Sequence, residues 1–316
     1  MMRVLVVSNM LPAPDRPWRG TFVRDQVDDL AGLGVHVDAL HFGGRSDRRA
    51  YLRAIRTIRA RLRDERYDIV HAHYGLTGAS AALSLPSVPL VTTFHGSDYA
   101  GPAWQRLVSI AVARRSTCIV VNQEGRARLF ARDANVIPMG VDTQRFVPHD
   151  RAEARRALGW SAAHRYALLA GARADPVKRA DVFDAAVERA RERAPQLVGV
   201  TLEGYDRDQV VLVLNAADVM VLASDREGSP VAVRESLACE TPVVAVPVGD
   251  IEPLLHGLDG CTVAAQEPGA LADGIVEALS AARRAAWRER AEQSSRAVVA
   301  RRVLDVYESL VPRSSR

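Results

Sequence analysis

Short runs of apolar, mostly β-branched residues alternate along the chain with longer stretches of helical periodicity. This alternation predicts parallel strands joined by crossover helices, because parallel strands are buried on both faces and need long connections. In the first half, strands are predicted at RVLVVS (3–8), VHVDALHF (35–42), DIVHAH (68–73), PLVTTFH (89–95) and TCIVV (117–121). Helices are predicted between them at 21–33, 48–65, 103–114 and 123–132.

The strand pattern starts again in the second half, with YALLAG (166–171), VGVTLEG (198–204), DVMVLAS (218–224) and PVVAV (242–246). Two such series predict an α/β protein with two Rossmann-like domains whose parallel sheets face each other across a cleft. We assign residues 1–147 to the first domain and 148–297 to a compact second domain with one βα unit fewer. The apolar stripe in VVARRVLDVYESL predicts that a C-terminal helix, 298–316, returns to the first domain.

Composition narrows the class of protein. The chain has 316 residues, 48% of them hydrophobic and 25% charged, as expected of a globular protein of two domains. Aromatic residues make up only 5%, which argues against base-stacking platforms, so we expect no nucleic-acid partner. The three cysteines lack metal-ligand spacing, and no apolar run resembles a signal peptide or a membrane span. We therefore expect a cytoplasmic protein without a metal site.

The segment SDREGSPVAVRESLACETPVV (224–244) carries the clearest candidate chemistry. Ser229 is a favourable N-cap and Pro230 a favourable first helical residue, so a helix is predicted to start there. Its free backbone N–H groups, from about Val231 onward, would face the carboxyl edge of the preceding strand, where α/β sheets bind anionic ligands. Glu227 and Glu235 stand eight positions apart, one before the helix and one inside it.

Lys178 is the only lysine in a chain that otherwise uses arginine for its basic residues. Coding bias is the simple explanation for such a composition. The alternative is that this position needs a compact ammonium rather than the planar fork of a guanidinium. Lys178 lies in GARADPVK, directly after the first predicted strand of the second half, which favours a role at the sheet edge.

Several strings together resemble the retaining GT-B glycosyltransferases of family four, the large group that includes sucrose- and glycogen-synthase-like enzymes. EGSPVAVRESLACETPVV resembles the E-x7-E region of that family, and IPMGVDTQRF resembles its interdomain junction. FHGSD, RGTFVRDQV and HAHYGLTG are similar to three of its N-terminal motifs. The motifs occur in order from residue 19 to 250, so the resemblance covers most of the chain.

The resemblance implies transfer of a hexosyl group from a UDP- or GDP-linked sugar to an acceptor hydroxyl, with retention of configuration and without a metal or other cofactor. The acceptor would be a glycan, a lipid-linked molecule or a small metabolite. Arg173 and Lys178 would clamp the diphosphate of the donor, and Glu235 would bind its ribose. The catalytic set would be His95, Arg173, Lys178 and Glu227; further donor contacts would come from Gly20, Gly228, Ser229, Pro230 and Val231, and acceptor-side contacts from His73 and Asp98.

Some features depart from the family pattern or have simpler readings. The N-terminal loop has one glycine, Gly20, where many members have two, and this glycine could serve only as a turn. Glu240 stands where the family usually has glycine at a helix end, so it would need a left-handed backbone, or the helix would have to end differently. Asp206 and Asp208 mimic a D-x-D metal motif, but an Asp between strand and helix is a common cap. His95 could be a purely structural residue.

Two other functions remain open on the sequence: a sugar-nucleotide epimerase of the same fold, and a non-catalytic sugar-nucleotide-binding partner subunit.

The segment 48–66 also has two interpretations. Its apolar positions Tyr51, Ile55, Ile58 and Leu62 repeat at helical spacing, with arginines on the other sides. This is typical of a core-facing helix with a solvated basic face. The alternative is peripheral contact with an anionic membrane at its inner face.

Overall fold

The structure, a computed structural model, describes residues 1–11, 20–43, 47, 49–96, 98, 101–122, 130 and 133–311. The chain divides into two compact units. The first comprises Met1–Gly140 and Arg296–Arg316, and the second comprises Val141–Ser295. Each unit contains one parallel sheet with helices, so the predicted α/β class with two parallel sheets is confirmed.

The first unit alternates strands and helices from its N-terminus. Its sheet has the strand order β2-β1-β3-β4-β5-β6, with all pairs parallel. The central strands are buried throughout because helices cover both faces, as their continuous apolar runs predict. The elements are β1 (Arg3–Ser8), α1 (Thr21–Gly32), β2 (His36–His41), α2 (Arg49–Asp64), β3 (Ile69–His73), α3 (Gly75–Leu83), β4 (Leu90–Phe94), α4 (Ala103–Arg115), β5 (Cys118–Val121) and β6 (Asn135–Val136).

The second unit repeats this arrangement with five strands in the order β11-β10-β9-β7-β8, one fewer than the six described in the first unit, as predicted. Its sheet is also parallel. Its elements are α5 (Arg151–Leu158), β7 (Arg165–Leu169), α6 (Ala180–Arg191), β8 (Leu197–Thr201), α7 (Arg207–Ala216), β9 (Val219–Leu222), α8 (Val231–Ala238), β10 (Val243–Ala245), α9 (Ile251–Leu255), β11 (Thr262–Val263), α10 (Pro268–Leu279) and α11 (Ala285–Glu292).

The last helix, α12 (Arg296–Leu310), belongs to the first unit. Its residues Val299, Val303 and Val306 are 7%, 1% and 7% exposed and lie in the same core cluster as Val23 and Leu30 of α1. Tyr307 is fully buried in that cluster. The apolar stripe read from the sequence is therefore the face by which α12 completes this core.

Local capping explains where several helices begin and end. Asp206 accepts hydrogen bonds from the backbone of Asp208 and Gln209 and forms a capping box that starts α7. The first Asp of DRD is therefore a helix cap, as the sequence indicated. Glu240 follows α8 with φ 55°, so it adopts the left-handed conformation that its position requires. The predicted helix 123–132 falls almost entirely outside the described residues.

Candidate functional site

In the second unit, the strand order reverses between β7 and β9, because β8 lies on one side of β7 and β9 to β11 lie on the other. Ligands of open α/β sheets bind at the carboxyl ends of the strands at such a reversal. Lys178 follows β7 and Glu227 follows β9, so the two residues come from the two strands that border this point. The fold thus brings these two predicted residues to one place.

Lys178 ends a 3₁₀ turn, Pro176–Lys178, that the side chain of Asp175 caps. The Nζ of Lys178 donates a hydrogen bond to Oε1 of Glu227 at 2.6 Å, with the two side chains 23% and 17% exposed. The methylene stem of Lys178 packs over Gly171, where an added Cβ would lie 2.8 Å from three of its carbons. The ammonium is therefore fixed at the switch point and is still accessible.

The helix α8 begins one residue later than predicted. Pro230 is the N-cap, and the first helical residue is Val231. The Oγ of Ser229 donates a hydrogen bond to Oδ2 of Asp250 at 2.9 Å. The backbone N–H groups that were predicted to bind an anion therefore belong to a helix that begins at Val231.

A buried ion pair supports this turn from behind. Arg234 and Asp250 are 3% and 9% exposed, and their side chains are in contact through two hydrogen bonds. The Nε of Arg234 also donates to Oγ of Ser294 at 3.1 Å. Arg234 lies on α8 and Asp250 follows β10, so the pair ties the turn at Ser229 to the neighbouring loop. No sequence motif indicated either residue.

Glu235 is 4% exposed, in contrast to the solvated face on which a single helical Glu is usually found. Its Oε1 accepts a hydrogen bond from Nη1 of Arg207 at 2.6 Å, and the guanidinium of Arg207 lies 4.9 Å from the ring centre of Phe146. Because a buried carboxylate needs such compensation, Arg207 is a third residue of this region, after Arg234 and Asp250, that the sequence did not single out. It is the middle residue of DRD.

Arg173 has an ion-pair partner of its own, Asp184. Its two terminal nitrogens donate to the two carboxylate oxygens of Asp184 at 2.6 and 2.8 Å, and its side chain is 41% exposed. Asp184 lies on α6, and its carboxylate raises the pKa of Arg173 above the usual value by hydrogen bonding. The diphosphate clamp of Arg173 and Lys178 stays a prediction, with the guanidinium of Arg173 held by Asp184 in this structure.

The loop that carries Glu227 and Gly228 packs tightly against the loop after β10. Gly249 has φ 62°, and a Cβ built on it would lie only 2.6 Å from the carbonyl oxygen of Gly228. Any side chain at this position would push on the backbone next to Glu227. Because Gly249 has no side chain, the Gly228 loop can approach it closely, and this contact sets the position of Glu227, the ion-pair partner of Lys178.

In the first unit, His73 and His95 lie at the carboxyl ends of β3 and β4. Nδ1 of His73 and Nε2 of His95 are 3.2 Å apart and share a hydrogen bond. Burial lowers the pKa of His73 to about 3 and lowers the pKa of His95 well below its usual value, so both rings are neutral. The structure thus places two of the predicted residues in direct contact.

Asp98 is fully buried and accepts hydrogen bonds from the backbone N–H groups of Gly75, at 2.7 Å, and His95, at 2.6 Å. Burial raises the pKa of Asp98 to about 7, and these two N–H groups oppose that shift. Asp98 thus links the loops that follow β3 and β4, and it supports the His73–His95 pair through the backbone.

Two further residues extend the histidine pair. His71 stacks on His73 with ring centres 4.5 Å apart, and its two nitrogens contact Oη of Tyr307 at 2.6 Å and Oγ1 of Thr93 at 2.7 Å. Burial lowers the pKa of His71 well below its usual value and raises that of Tyr307. His71 stood in the quoted motif HAHYGLTG, but its partner on α12 could be found only from the fold.

Gly20 serves the backbone of the first unit. It is the N-cap of α1 with φ 70°, and a Cβ on it would lie 2.5 Å from the carbonyl carbon and oxygen of Met10. The absence of a side chain at Gly20 therefore allows its backbone to lie close to that of Met10. Among the described residues, no group of three or more His, Cys, Asp or Glu side chains could hold a metal ion.

Two family models match the chain in succession. Residues 3–145 match Glycosyltransferase Family 4, and residues 166–281 match Glycosyl transferases group 1. Among curated proteins, a D-inositol 3-phosphate glycosyltransferase of Mycolicibacterium gilvum is 30% identical over 262 residues. That alignment covers 68% of this chain and 59% of the relative, so the chain spans well under two thirds of the relative's length.

Solved structures share the fold. A sucrose-phosphate synthase from Thermosynechococcus elongatus superposes with a TM-score of 0.79 at 17% identity, covering 98% of this chain and 99% of that one. Anabaena HepE, solved in complex with UDP and glucose, gives 0.72 at 17% identity over 98% and 100% of the two chains. These likenesses confirm two Rossmann-like domains of the GT-B type. The two consecutive family matches, over residues 3–145 and 166–281, show that the chain belongs to family 4 of the glycosyltransferases, with the glycosyl transferases group 1 model matching its second half.

Proposed function

We propose that the chain transfers a hexosyl group from a nucleoside-diphosphate sugar to an acceptor hydroxyl, with retention of configuration and without a metal ion. The observation that carries this proposal is the Lys178–Glu227 pair at the strand reversal of the second unit. UDP is the first donor nucleotide to test, since HepE was solved with UDP and glucose, and GDP is the second. The product would be a glycan, a glycolipid or a glycosylated metabolite.

The chemistry needs positive charge where the diphosphate leaves. The bond between the sugar C1 and the phosphate oxygen breaks, and its electron pair goes to that oxygen. The acceptor oxygen bonds to C1 from the same face, and its proton passes to the departing phosphate. Lys178 has three N–H donors and gives one to Glu227, so two others can serve phosphate oxygens while the ammonium stays in place.

The backbone N–H groups at the start of α8 would add to this positive potential. Glu235, held by Arg207, would accept the ribose hydroxyls. Arg173 would join the diphosphate only by leaving Asp184 or by using its remaining N–H groups. We accordingly rank Lys178 above Arg173 as the main cationic residue.

The decisive experiment compares Lys178→Ala with Arg193→Ala, a matched loss of one cation. Arg193 forms an exposed ion pair with Asp273 at 2.6 Å on the same unit. Turnover of UDP- and GDP-sugars should fall roughly 10²-fold or more in Lys178→Ala, the usual cost of losing one preorganised charge-stabilising donor. Arg193→Ala should keep wild-type turnover. Near-normal kcat in Lys178→Ala, with an intact fold by thermal unfolding, would contradict the proposal.

Product analysis separates the two other functions. An epimerase would convert the sugar nucleotide without any acceptor, whereas a transferase yields a glycoside. A non-catalytic partner subunit would bind a nucleoside diphosphate tightly and show neither transfer nor donor hydrolysis. A chelating agent should leave turnover unchanged, since Lys178 and the α8 N–H groups provide the charge that a metal would otherwise supply.

We also propose that α2 brings the protein to an anionic membrane surface. Along one side of this helix, exposed Leu52 is followed at helical spacing by the exposed arginines Arg56 and Arg59. Arg59 donates to the carbonyls of Leu83 and Ser84 at the end of α3, so this arginine lies next to a segment whose Leu83 and Leu85 are 50% and 70% exposed. Exposed leucines among basic residues suit the interface of an anionic bilayer.

Co-sedimentation with phosphatidylglycerol vesicles tests this surface, with phosphatidylcholine vesicles as the reference. A basic residue near an anionic surface contributes about 1 kcal/mol, so the charge reversal Arg56→Glu should weaken binding roughly tenfold or more. Arg114→Glu reverses an exposed charge on α4 and should have a smaller effect. Equal losses in both variants would show a net-charge effect and exclude α2 as the contact. No helix among the described residues is long and apolar enough to cross a membrane.

A further inference from the structure

A small cavity lies inside the first unit, bounded by α1, by the carboxyl ends of β3 to β5 and by α12. We call it the α1–α12 cavity. Its volume is about 40 Å³, enough for one or two groups the size of a water molecule. The polar residues that line it include Asp25, Gln26, Asp29, His73, Thr93 and Arg296.

Two polar atoms in this lining have no hydrogen-bond partner among the described residues. They are Nε2 of His73 and Oε1 of Gln26, and both atoms are buried. A buried polar atom without a partner costs about 1–3 kcal/mol, and most such atoms in proteins are satisfied by protein or water. Because both line the same small cavity, a polar group inside it would satisfy them together.

The charges around the cavity select the kind of group. His73 and His95 are neutral because burial depresses the pKa of each ring. The guanidinium of Arg296 is engaged by both carboxylate oxygens of Asp29, at 2.7 and 2.9 Å, and lies 3.4 Å from a carboxylate oxygen of Asp25. Two carboxylates therefore offset the one described cation. A phosphate or carboxylate would be repelled here, whereas a neutral hydroxyl would not.

We propose that the α1–α12 cavity receives a hydroxyl of the glycosyl acceptor, and that the acceptor presents a neutral sugar or polyol at this point. A hydroxyl can donate its hydrogen to Oε1 of Gln26 and accept one from Nε2 of His73. The latter requires the His73 proton on Nε2, so that Nδ1 accepts from Nε2–H of His95. The inference rests on the proposed transferase function, for which it specifies the acceptor class.

The test measures binding of two probes without any donor. Methyl α-D-glucopyranoside is the neutral probe, and glucose 6-phosphate is its anionic counterpart. Gln26→Met removes the acceptor oxygen at nearly constant size, and Gln105→Met makes the same change on α4, away from the cavity. Losing one hydrogen bond of about 1.4 kcal/mol should raise the Kd of the neutral probe tenfold in Gln26→Met and leave Gln105→Met unchanged.

A second measurement needs no variant. In wild-type protein with labelled histidine, the neutral probe should shift the nitrogen resonance of Nε2 of His73. Unchanged affinity in Gln26→Met together with an unmoved resonance would mean that the cavity holds only water and would overturn the inference. Failure of the wild type to bind the neutral probe would also overturn it, as would tighter binding of glucose 6-phosphate. Because donor turnover is not measured, these outcomes are independent of the Lys178→Ala result.

Discussion

Gly249 allows a stringent test of the candidate donor site, because it touches the loop of Glu227 without being part of the chemistry. The substitution Gly249→Ala places a Cβ 2.6 Å from the carbonyl oxygen and 3.2 Å from the carbonyl carbon of Gly228. Both neighbours are backbone atoms and cannot rotate away. The Gly228 loop must therefore move, and Glu227 and its partner Lys178 move with it.

The size of the effect follows from two terms. The first is the cost of a non-glycine residue with φ 62°, roughly 1–2 kcal/mol of folding stability. The second is the displacement: to restore an ordinary contact of about 3.4 Å, the Gly228 carbonyl must shift by about 0.8 Å. A misplacement of about 1 Å in a catalytic arrangement can cost on the order of 10²-fold in rate. We expect kcat to fall roughly 10- to 100-fold.

Gly257→Ala is the matched control. Gly257 lies in the same unit with φ 72°, and a Cβ added there has nothing within 4 Å. This variant has a similar backbone strain but no collision. The assay combines urea unfolding, which should show a loss in both variants and the larger one in Gly249→Ala, with donor turnover, which should fall only in Gly249→Ala. Wild-type turnover in Gly249→Ala would refute the link between this contact and the site, as would an equal fall in both.

Three further outcomes are expected. Glu240→Gly should raise the free energy of unfolding by about 0.5–1 kcal/mol, because it relieves the left-handed strain at φ 55° at some entropic cost; a urea midpoint that stays or falls would contradict this. Asp184→Asn weakens the ion pair that holds Arg173, so it should lower the donor KM if Arg173 binds the diphosphate. The double variant Asp184→Asn/Arg173→Ala should lose this decrease in KM. An unchanged KM in Asp184→Asn would exclude Arg173 from the diphosphate clamp. Between pH 6.5 and about 3 the unfolded chain binds a proton at His73 that the folded chain does not bind, so His73 should lower the free energy of unfolding by about 1.4 kcal/mol for each unit of decreasing pH. Asp98 acts in the opposite direction below pH 7, because burial raises its pKa in the folded chain. If His73→Asn leaves the pH dependence of the urea midpoint unaltered, the depressed pKa of His73 is contradicted.

The strands of both sheets could be predicted from the sequence because each is a short apolar run bounded by polar residues. The run RVLVVS coincides with β1. The two-residue strands β6 and β11 could not be predicted, since two residues carry no periodicity. The first residue of α8 differed from the prediction by one position, which is within the one or two residues to which helix ends are ordinarily defined.

The candidate site was predictable only where residues follow strand ends. Lys178 and Glu227 each follow a strand of the second unit, so a parallel sheet brings them together. Ion-pair partners are different, because the choice of partner depends on tertiary packing. Arg207 reaches Glu235 across 28 positions, and Arg173 binds Asp184 on α6. No local pattern indicates either pairing.

The position of α12 has a consequence for how the chain folds as it is synthesised. Residues 141–295 form a unit that is continuous in sequence, whereas the core around α1 includes Val303 and Tyr307. When the nascent chain has left the ribosome up to residue 295, all residues of the second unit are present. The helix α12, which completes the core of the first unit, has not yet emerged. In nascent chains, residues 141–295 should therefore become resistant to protease before the N-terminal residues of the first unit do. This is the reverse of the usual order, in which N-terminal domains fold first.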